Sequence, residues 1–544
     1  MNGNIKRIGL LVVLIVGISA TTVNNDRLYE ISKNIEIFVN VYKELNKNYV
    51  DDLDPGQLMR TGIDAMVGSL DPYTNYISES QVASYRINTE GKYQGIGAIV
   101  EKVGDYVTIV EPYQDSPVVK AGLKAGDQIT AIAGRSTKGQ STADMNQVVR
   151  GVPGTKLNLT IARKGQAPFD VELERSQVSI PNVPYSGYVS DGIGYVVLTT
   201  FTANATKNIR KAISKMKDEN PDMKGLILDL RNNGGGLLKE AINISNIFIP
   251  VNKEVVSVRS KVSDRDVSYK TMGTPLDLEL PLVVMINKKS ASASEIVSGV
   301  IQDMDRGVVM GQRSYGKGLV QNTMQVGYNS RVKVTTSKYY IPSGRCIQSV
   351  RYEDGEPVDI PDDERAKFKT KGGRVVLDGG GVTPDVYIEN NGKADILAQL
   401  DKQKIIFQYV NTIVDNYMQD EEEEPTEITF TDFAAFTAFV KQSDFDFESK
   451  NSELIDQIKE NLKSDKQLGL MSEVEALEKR IDMEEESALE VHKEAIISAI
   501  EEKLASRSHF QKGKYFQKLK NDSEIVQAID LINNSAEYNK ILGK

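Results

Sequence analysis

The sequence predicts a multidomain α+β chain: a helical N-terminal segment, a β-rich domain, an α/β core and a helical C-terminal extension. Three observations lead there. Apolar residues recur at helical spacing near both ends. Short β runs split by glycines fill residues 85–176. From Tyr185 to about Asn390, strongly apolar runs alternate with helical stretches. With 544 residues the chain is long enough for several domains of ~150 residues.

The first residues have the pattern of an export signal. Lys6 and Arg7 precede the apolar run Ile8–Ile18, and Ser19-Ala20-Thr21-Thr22 follow. The run is short of the ~20 residues a membrane span needs, so residues 1–23 read either as a cleaved signal or as an N-terminal membrane anchor. The expected place of work is the periplasm or the outer face of the cytoplasmic membrane. Residues 24–84 form a small helical domain, with Leu28, Ile31, Ile35, Phe38, Val39, Tyr42 and Leu45 as its apolar stripe and Asp71-Pro72-Tyr73 as a turn.

Residues 85–176 carry β runs at Gly95–Val100, Tyr106–Val110, Lys156–Ala162 and Phe169–Leu173. Ser116-Pro117 opens one short helix and Thr142–Val149 is another. Residues 177–390 form the α/β core. Its strands are Gly194–Leu198, Gly225–Leu230, Leu282–Ile286 and Val308–Met310, too apolar to face water. Its helices are Ala205–Lys217, Leu237–Phe248 and Ser294–Asp303. Ser349–Lys371 reads as a charged surface excursion. Residues 391–544 are helical and polar. There Asp420–Glu424 is a solvated linker, and stripes such as Leu454, Ile455, Ile458, Leu462 and Ile525, Val526, Ile529, Ile532 pack a helical domain.

Composition removes several function classes. The net charge is −10, from 66 Lys+Arg against 76 Asp+Glu, which excludes the broad basic face of a nucleic-acid binder. Cys346 is the single cysteine, so no intrachain disulfide or cysteine-built zinc site exists. The two histidines, His492 and His509, read as helix-surface residues far from the core in sequence. Neither a metal nor another cofactor is expected.

Chemistry concentrates between Leu282 and Gln321. The buried strand runs into Ser290-Ala291-Ser292-Ala293-Ser294-Glu295, small residues at the start of a helix. Ser292 with Glu295 fits a capping box. A helix N-terminus also offers free N–H groups to a developing oxyanion, which suits a nucleophilic serine. With no histidine before Val491, its base must be another group. Lys317, between Gly316 and Gly318, is the candidate, provided burial lowers its pKa. On an extended chain Gln321 shares its face and would orient it. Ser290 and Ser294 read as spacing and capping residues. Asp303, 11 residues after Ser292 and ~16 Å along the helix, reads as structural.

Ser290-Ala291-Ser292-Ala293-Ser294-Glu295-Ile296, Gln302-Asp303 and Gly316-Lys317-Gly318-x-Val320-Gln321 together resemble the C-terminal processing (tail-specific) serine peptidases over roughly Arg27–Asn390. The resemblance implies a crotonase/ClpP-like core with Ser292 as nucleophile, Lys317 as general base and Gln321 as its support. It implies an oxyanion hole from the N–H of Ala293 and of Gly235 or Gly236, in the turn Asp229-Leu230-Arg231-Asn232-Asn233-Gly234-Gly235-Gly236. The β domain resembles that family's PDZ domain, with Gln94, Gly95, Ile96 and Gly97 as the loop that takes a substrate's C-terminal carboxylate. Gly122-Leu123-x-x-Gly126-Asp127-x-Ile129 is its second hallmark.

The function so implied is an endopeptidase that cleaves exported proteins near their C-termini. Its partners are protein or peptide tails, with room for membrane association, a homo-oligomer or an adaptor protein. Two other readings compete. A non-catalytic PDZ scaffold would leave Ser292, Lys317 and Gln321 without a role. Gly311–Lys317 matches a phosphate loop, but Gly318 lacks the hydroxyl such a loop needs, and Leu319–Val326 reads as a strand where a helix is required.

Overall fold

The computed structural model describes residues 27–544 apart from 80, 83–91, 262, 263, 265, 349, 354, 355, 360, 390–393, 421, 422, 466 and 467. The export-type run and the expected boundaries near 84 and 390 lie outside the described residues. The chain divides into two compact units. One holds the chain up to Ser78 with Gln321–Thr335 and Tyr352–Glu356; the other holds Glu79–Val320, Thr336–Arg351 and Pro357–Lys544.

In the first unit a helix spans 27–48. A second, Pro55–Gly68, starts where Asp54 accepts the N–H groups of Gly56 and Gln57 and Pro55 fixes the first turn. The expected apolar stripe is on a helix, but much of it is not buried: Leu28 is 61% and Ile35 59% exposed. Periodicity marks a face that avoids water without naming what covers it. Strand Asn75–Ile77 pairs antiparallel with Arg331–Lys333.

In the second unit the β domain is an antiparallel sheet in the order Ala98–Val103, Tyr106–Pro112, Gln128–Ile132, Lys156–Ala162, Phe169–Glu174. Ile96, Val107, Ile109, Ile129, Leu159 and Ile161 fill its core. Ser116 caps the helix Pro117–Lys120.

The α/β core is a six-stranded sheet in the order Ser186–Ser190, Ile193–Val197, Gly225–Asp229, Leu282–Ile286, Val308–Gly311, Val386–Tyr387. The first strand is antiparallel and the others are parallel. Alternate residues face opposite sides. Val196, Leu226, Leu228, Val284 and Ile286 pack against the helices Ala205–Glu219, Leu238–Phe248 and Ala293–Asp303. Tyr195, Ile227, Val283, Met285 and Met310 pack against Ile525, Ala528, Leu531, Ile532 and Tyr538 of the two last helices, Ser523–Asn533 and Ser535–Ile541.

Three expectations change here. The stripe with Ile525 and Ile532 does not pack a separate helical domain but covers the second face of the core sheet. A parallel sheet must be covered on both faces, and the preceding sequence supplies helices for only one. The excursion Ser349–Lys371 is not all surface, since Arg365 and Thr370 are buried. His509 is not on a helix surface: it is 6% exposed at a kink, with Nε2 3.1 Å from the carbonyl of Glu423.

Candidate active site

Strand Leu282–Ile286 and the helix Ala293–Asp303 meet at Ser292, whose φ of 55° and ψ of −110° lie outside the regions an L residue prefers. Such a conformation costs ~1–3 kcal/mol and is held only where neighbours enforce it. Here the neighbours are identifiable. Ser290 is fully buried and its hydroxyl donates to the carbonyl of Leu230 at 2.8 Å. The buried Ser294 hydroxyl donates to the carbonyl of Asn233 at 2.8 Å, and the Ala291 N–H reaches the same carbonyl at 3.0 Å. The two serines expected to act in spacing and capping therefore strap the Ser292 turn onto the glycine turn.

Gly235 lies against that turn. A Cβ there, at φ +99°, would sit 2.7 Å from the Ala291 carbonyl, 2.9 Å from Ser292 Cβ and 3.0 Å from Ala293 N. Gly236 instead backs onto the Phe201 main chain, 2.5 Å from its carbonyl oxygen on the same measure. The Gly235 N–H donates to Asn233 Oδ1 at 2.9 Å. Ala293 opens the helix, where backbone N–H groups have no intrahelical partner.

Glu295 joins this turn to the lysine loop. Its fully buried carboxylate accepts the Ser292 N–H at 2.7 Å, the Lys317 N–H at 2.9 Å, the Gly316 N–H at 2.6 Å and the Ser314 hydroxyl at 2.6 Å. Burial nevertheless pushes its carboxyl up to about 7, outweighing the four donors. The capping box is thus half of a larger hub. Buried Tyr339, which sequence reasoning missed, adds a second link. Its hydroxyl donates to the Lys317 carbonyl and lies 3.2 Å from that of Ser292. No local pattern around Tyr339 could have revealed this, because its partners lie 22 and 47 positions away.

Ser292 and Lys317 are both half-buried. Gln321 belongs to the first unit, where its Nε2 donates to the Thr335 hydroxyl at 3.2 Å. That hydroxyl donates to Asp71 Oδ1 at 3.2 Å. Asp303 behaves as the sequence implies, ion-pairing at 2.9 Å with fully buried Arg345. Lys317-Gly318 is followed by the strand Leu319–Gly327 and not a helix, which removes the phosphate-loop reading.

In the β domain Gly97 has φ +80°, and its carbonyl accepts the Tyr113 N–H at 2.9 Å. The Ile96 carbonyl accepts the Val118 N–H at 3.1 Å, and Gly95 bridges to Arg150. The expected loop is only half a loop: Gln94 and Gly95 end a strand, Lys92–Gly95, paired antiparallel with Ser176–Ser179, and Ile96 and Gly97 form the bend that leads into Ala98–Val103. Among the described residues no group of His, Cys, Asp or Glu could hold a metal ion, and no helix is long and apolar enough to cross a membrane.

Residues 192–357 match the family described as peptidase family S41, and residues 94–173 match a PDZ domain. Residues 396–532 match the C-terminal helical domain of a "Probable PDZ-protease". The carboxy-terminal-processing protease of Bartonella bacilliformis is 34% identical, over 65% of this chain and 81% of that protein. The "Probable CtpA-like serine protease" of Staphylococcus saprophyticus is 31% identical over 66% of this chain and 74% of its own. Its Staphylococcus aureus counterpart is 30% identical, over 65% and 71%. The chain therefore belongs to the carboxy-terminal-processing proteases of peptidase family S41, serine endopeptidases that here carry a PDZ substrate-recognition domain.

Proposed function

We propose that this endopeptidase cleaves exported proteins near their C-termini through a Ser292–Lys317 dyad. The carrying observation is the Glu295 carboxylate, which holds the backbone N–H of both residues on one group. In this reading the neutral Lys317 amine takes the Ser292 proton as Oγ attacks the scissile carbonyl. Gln321 orients the amine. The Ala293 N–H and one from Gly235–Gly236 receive the oxyanion, a term worth ~3–4 kcal/mol per donor. The tetrahedral intermediate collapses with cleavage of the scissile C–N bond as the Lys317 ammonium gives its proton to the departing amine, and the neutral Lys317 then activates the water that hydrolyses the acyl-enzyme.

The same reading assigns residues 85–176 to tail recognition and 177–390 to a crotonase/ClpP-like core. A carboxylate docks on the Gln94–Gly97 backbone as the substrate adds beside Ala98–Val103. Exposed Ile99 and Val148 offer apolar surface for the last side chains. The Ile8–Ile18 run supports export to the periplasm or the outer face of the cytoplasmic membrane, as cleaved signal or anchor.

The test is mass spectrometry of digests of peptides with free and amidated C-termini. Wild-type protein should cut the free-acid peptides preferentially, and Ser292→Ala and Lys317→Ala should each abolish turnover while remaining folded. Near-wild-type turnover by Lys317→Ala would remove the dyad. Failure of wild-type protein to react with a serine-directed fluorophosphonate would favour a non-catalytic scaffold.

A further inference from the structure

We propose that Asp522 and Glu524, in the last helical segment, are positioning residues for the oxyanion turn and act through Arg231. The proposal rests on the Ser292–Lys317 reading. It gives the C-terminal helices a part in catalysis.

Arg231 stands in the turn between strand Gly225–Asp229 and Gly235. Its side chain is 8% exposed and meets three carboxylates: Asp229 at 2.6 Å, Asp522 at 2.8 Å and Glu524 at 3.1 Å. Asp229 also accepts the Arg231 N–H at 2.9 Å and the Tyr195 hydroxyl at 2.7 Å. A guanidinium fork held from several sides has a fixed plane, and a buried pair escapes salt screening.

Two residues on, Asn233 is fully buried. Its amide donates to the Leu198 carbonyl at 2.7 Å, its Oδ1 accepts the Gly235 N–H, and its carbonyl holds Ala291 and Ser294 on either side of Ser292. A displaced Arg231 therefore shifts Asn233, and with it both the glycine turn and the flanks of the nucleophile.

The anchor is itself rigid. Asp522 caps the helix Ser523–Asn533, accepting from the Glu524 and Ile525 N–H groups at 3.1 and 3.3 Å. That helix fills the sheet face with Ile525, Ala528, Leu531 and Ile532. The next helix brings the Tyr538 hydroxyl to both the N–H and the carbonyl of Leu282, at 2.9 and 3.0 Å. Leu282 begins the strand that delivers Ser292. The same two helices thus hold the root of the nucleophile strand and the outer end of the oxyanion turn.

Asp522→Asn separates a catalytic role from a structural one. Asn caps a helix as well as Asp does but carries no charge for Arg231. In full-length protein, Asp522→Asn with Glu524→Gln should lower kcat roughly tenfold, a part of the 10²–10³ lost when an oxyanion donor is removed outright. The affinity for a peptidyl aldehyde, whose adduct with Ser292 mimics the tetrahedral intermediate, should fall by a similar factor. KM and tail-peptide binding should stay as in wild type. Unchanged kcat and aldehyde affinity with a lowered Tm would reduce the helices to a stability clamp and overturn the proposal. If the double variant does not fold, Arg231→Lys supplies the test. It keeps the charge and loses the fork, and wild-type kcat there would equally overturn the proposal. An inactive wild type that fluorophosphonate does not label refutes the dyad instead, so the two failures are distinguishable.

Discussion

The carboxylate of Glu295 accepts the backbone N–H of Lys317 at 2.9 Å, so the expected base is positioned through its main chain by a residue three places after the expected nucleophile. The same oxygen takes the Ser292 N–H at 2.7 Å. A single buried group thus sets the separation of the two loops. Replacing it with Gln321-like neutrality, as Glu295→Gln, turns one acceptor into a donor facing donors. We expect kcat to fall at least tenfold with KM little changed, because the loss is made in alignment and not in substrate binding. Equal kcat in the variant would show that the loops hold their spacing without it.

Stability should carry the same group's signature. Burial raises Glu295 from its ordinary 4.5 to about 7. The folded chain therefore binds this proton more tightly than the unfolded one. The stabilisation it gives is full below pH 4.5, declines as pH rises, and is lost above about 7. The unfolding free energy of wild type relative to Glu295→Gln should drop by on the order of 3 kcal/mol across that window. A difference that is flat between pH 4 and 8 would contradict it.

Three adjacent glycines should respond unequally to alanine. A Cβ on Gly234 meets nothing within 4 Å, whereas one on Gly235 strikes the Ala291–Ala293 main chain from a left-handed φ. Gly234→Ala should keep turnover within about twofold of wild type, and Gly235→Ala, whose Cβ must push the Ala291–Ala293 turn out of line, should lose on the order of 10²-fold, as much as deleting an oxyanion donor elsewhere costs. Gly236→Ala, pressed on the Phe201 backbone, should also lower Tm. Steady-state kinetics and thermal melts on the three variants decide this. Equal tolerance at 234 and 235 would place the turn away from the nucleophile.

The loop expected to take the substrate tail has a similar constraint. At Gly97 a Cβ would lie 2.4 Å from Ser116 Cβ, and φ is +80°. Gly97→Val must therefore displace either the loop or the capped helix behind it. Free-acid tail peptides should bind the wild type at least tenfold better than their amides, and Gly97→Val should erase that preference. Isothermal titration with the two peptide forms measures it directly. A preserved preference would move carboxylate recognition elsewhere.

What the sequence made legible follows from range. Ser292 and Lys317 stood out because small residues at a strand end and a lysine between glycines are local patterns. The strands and helices around them were legible for the same reason. Glu295 was visible only as a cap, since its ties to Ser314, Gly316 and Lys317 span 19 to 22 positions and exist only once the strands align. Tyr339 carried no local mark at all. Ile525 and Ile532 announced a buried face, but periodicity could not say that the partner was the core sheet, far earlier in the chain. Asp522 and Glu524 match no motif in the sequence, because their partner Arg231 lies about 290 residues earlier and only the fold brings them together.

Gln321 provides the last prediction. Its Nε2 donates to the Thr335 hydroxyl at 3.2 Å, which donates to Asp71 Oδ1 at 3.2 Å. Asp71 is buried and also accepts the Tyr73 and Thr74 N–H groups at 2.8 Å and the Thr74 hydroxyl at 3.0 Å. Each donor in this chain points toward the carboxylate, so the bonds polarise one another. The amide is held by its nitrogen on the Thr335 hydroxyl, which fixes the direction of its Oε1 acceptor. The Asp71-Pro72-Tyr73 turn, legible in the sequence only as a turn, thus becomes the anchor of the residue expected to support the base. Thr335→Val keeps the shape and deletes the relay. It should cost about 1 kcal/mol of stability and lower kcat several-fold with KM unchanged. Thr335→Ser, which restores the hydroxyl, should recover kcat even if its smaller side chain leaves Tm reduced. Kinetics that track Tm across the three proteins, with Ser no better than Val, would make the relay a structural contact only.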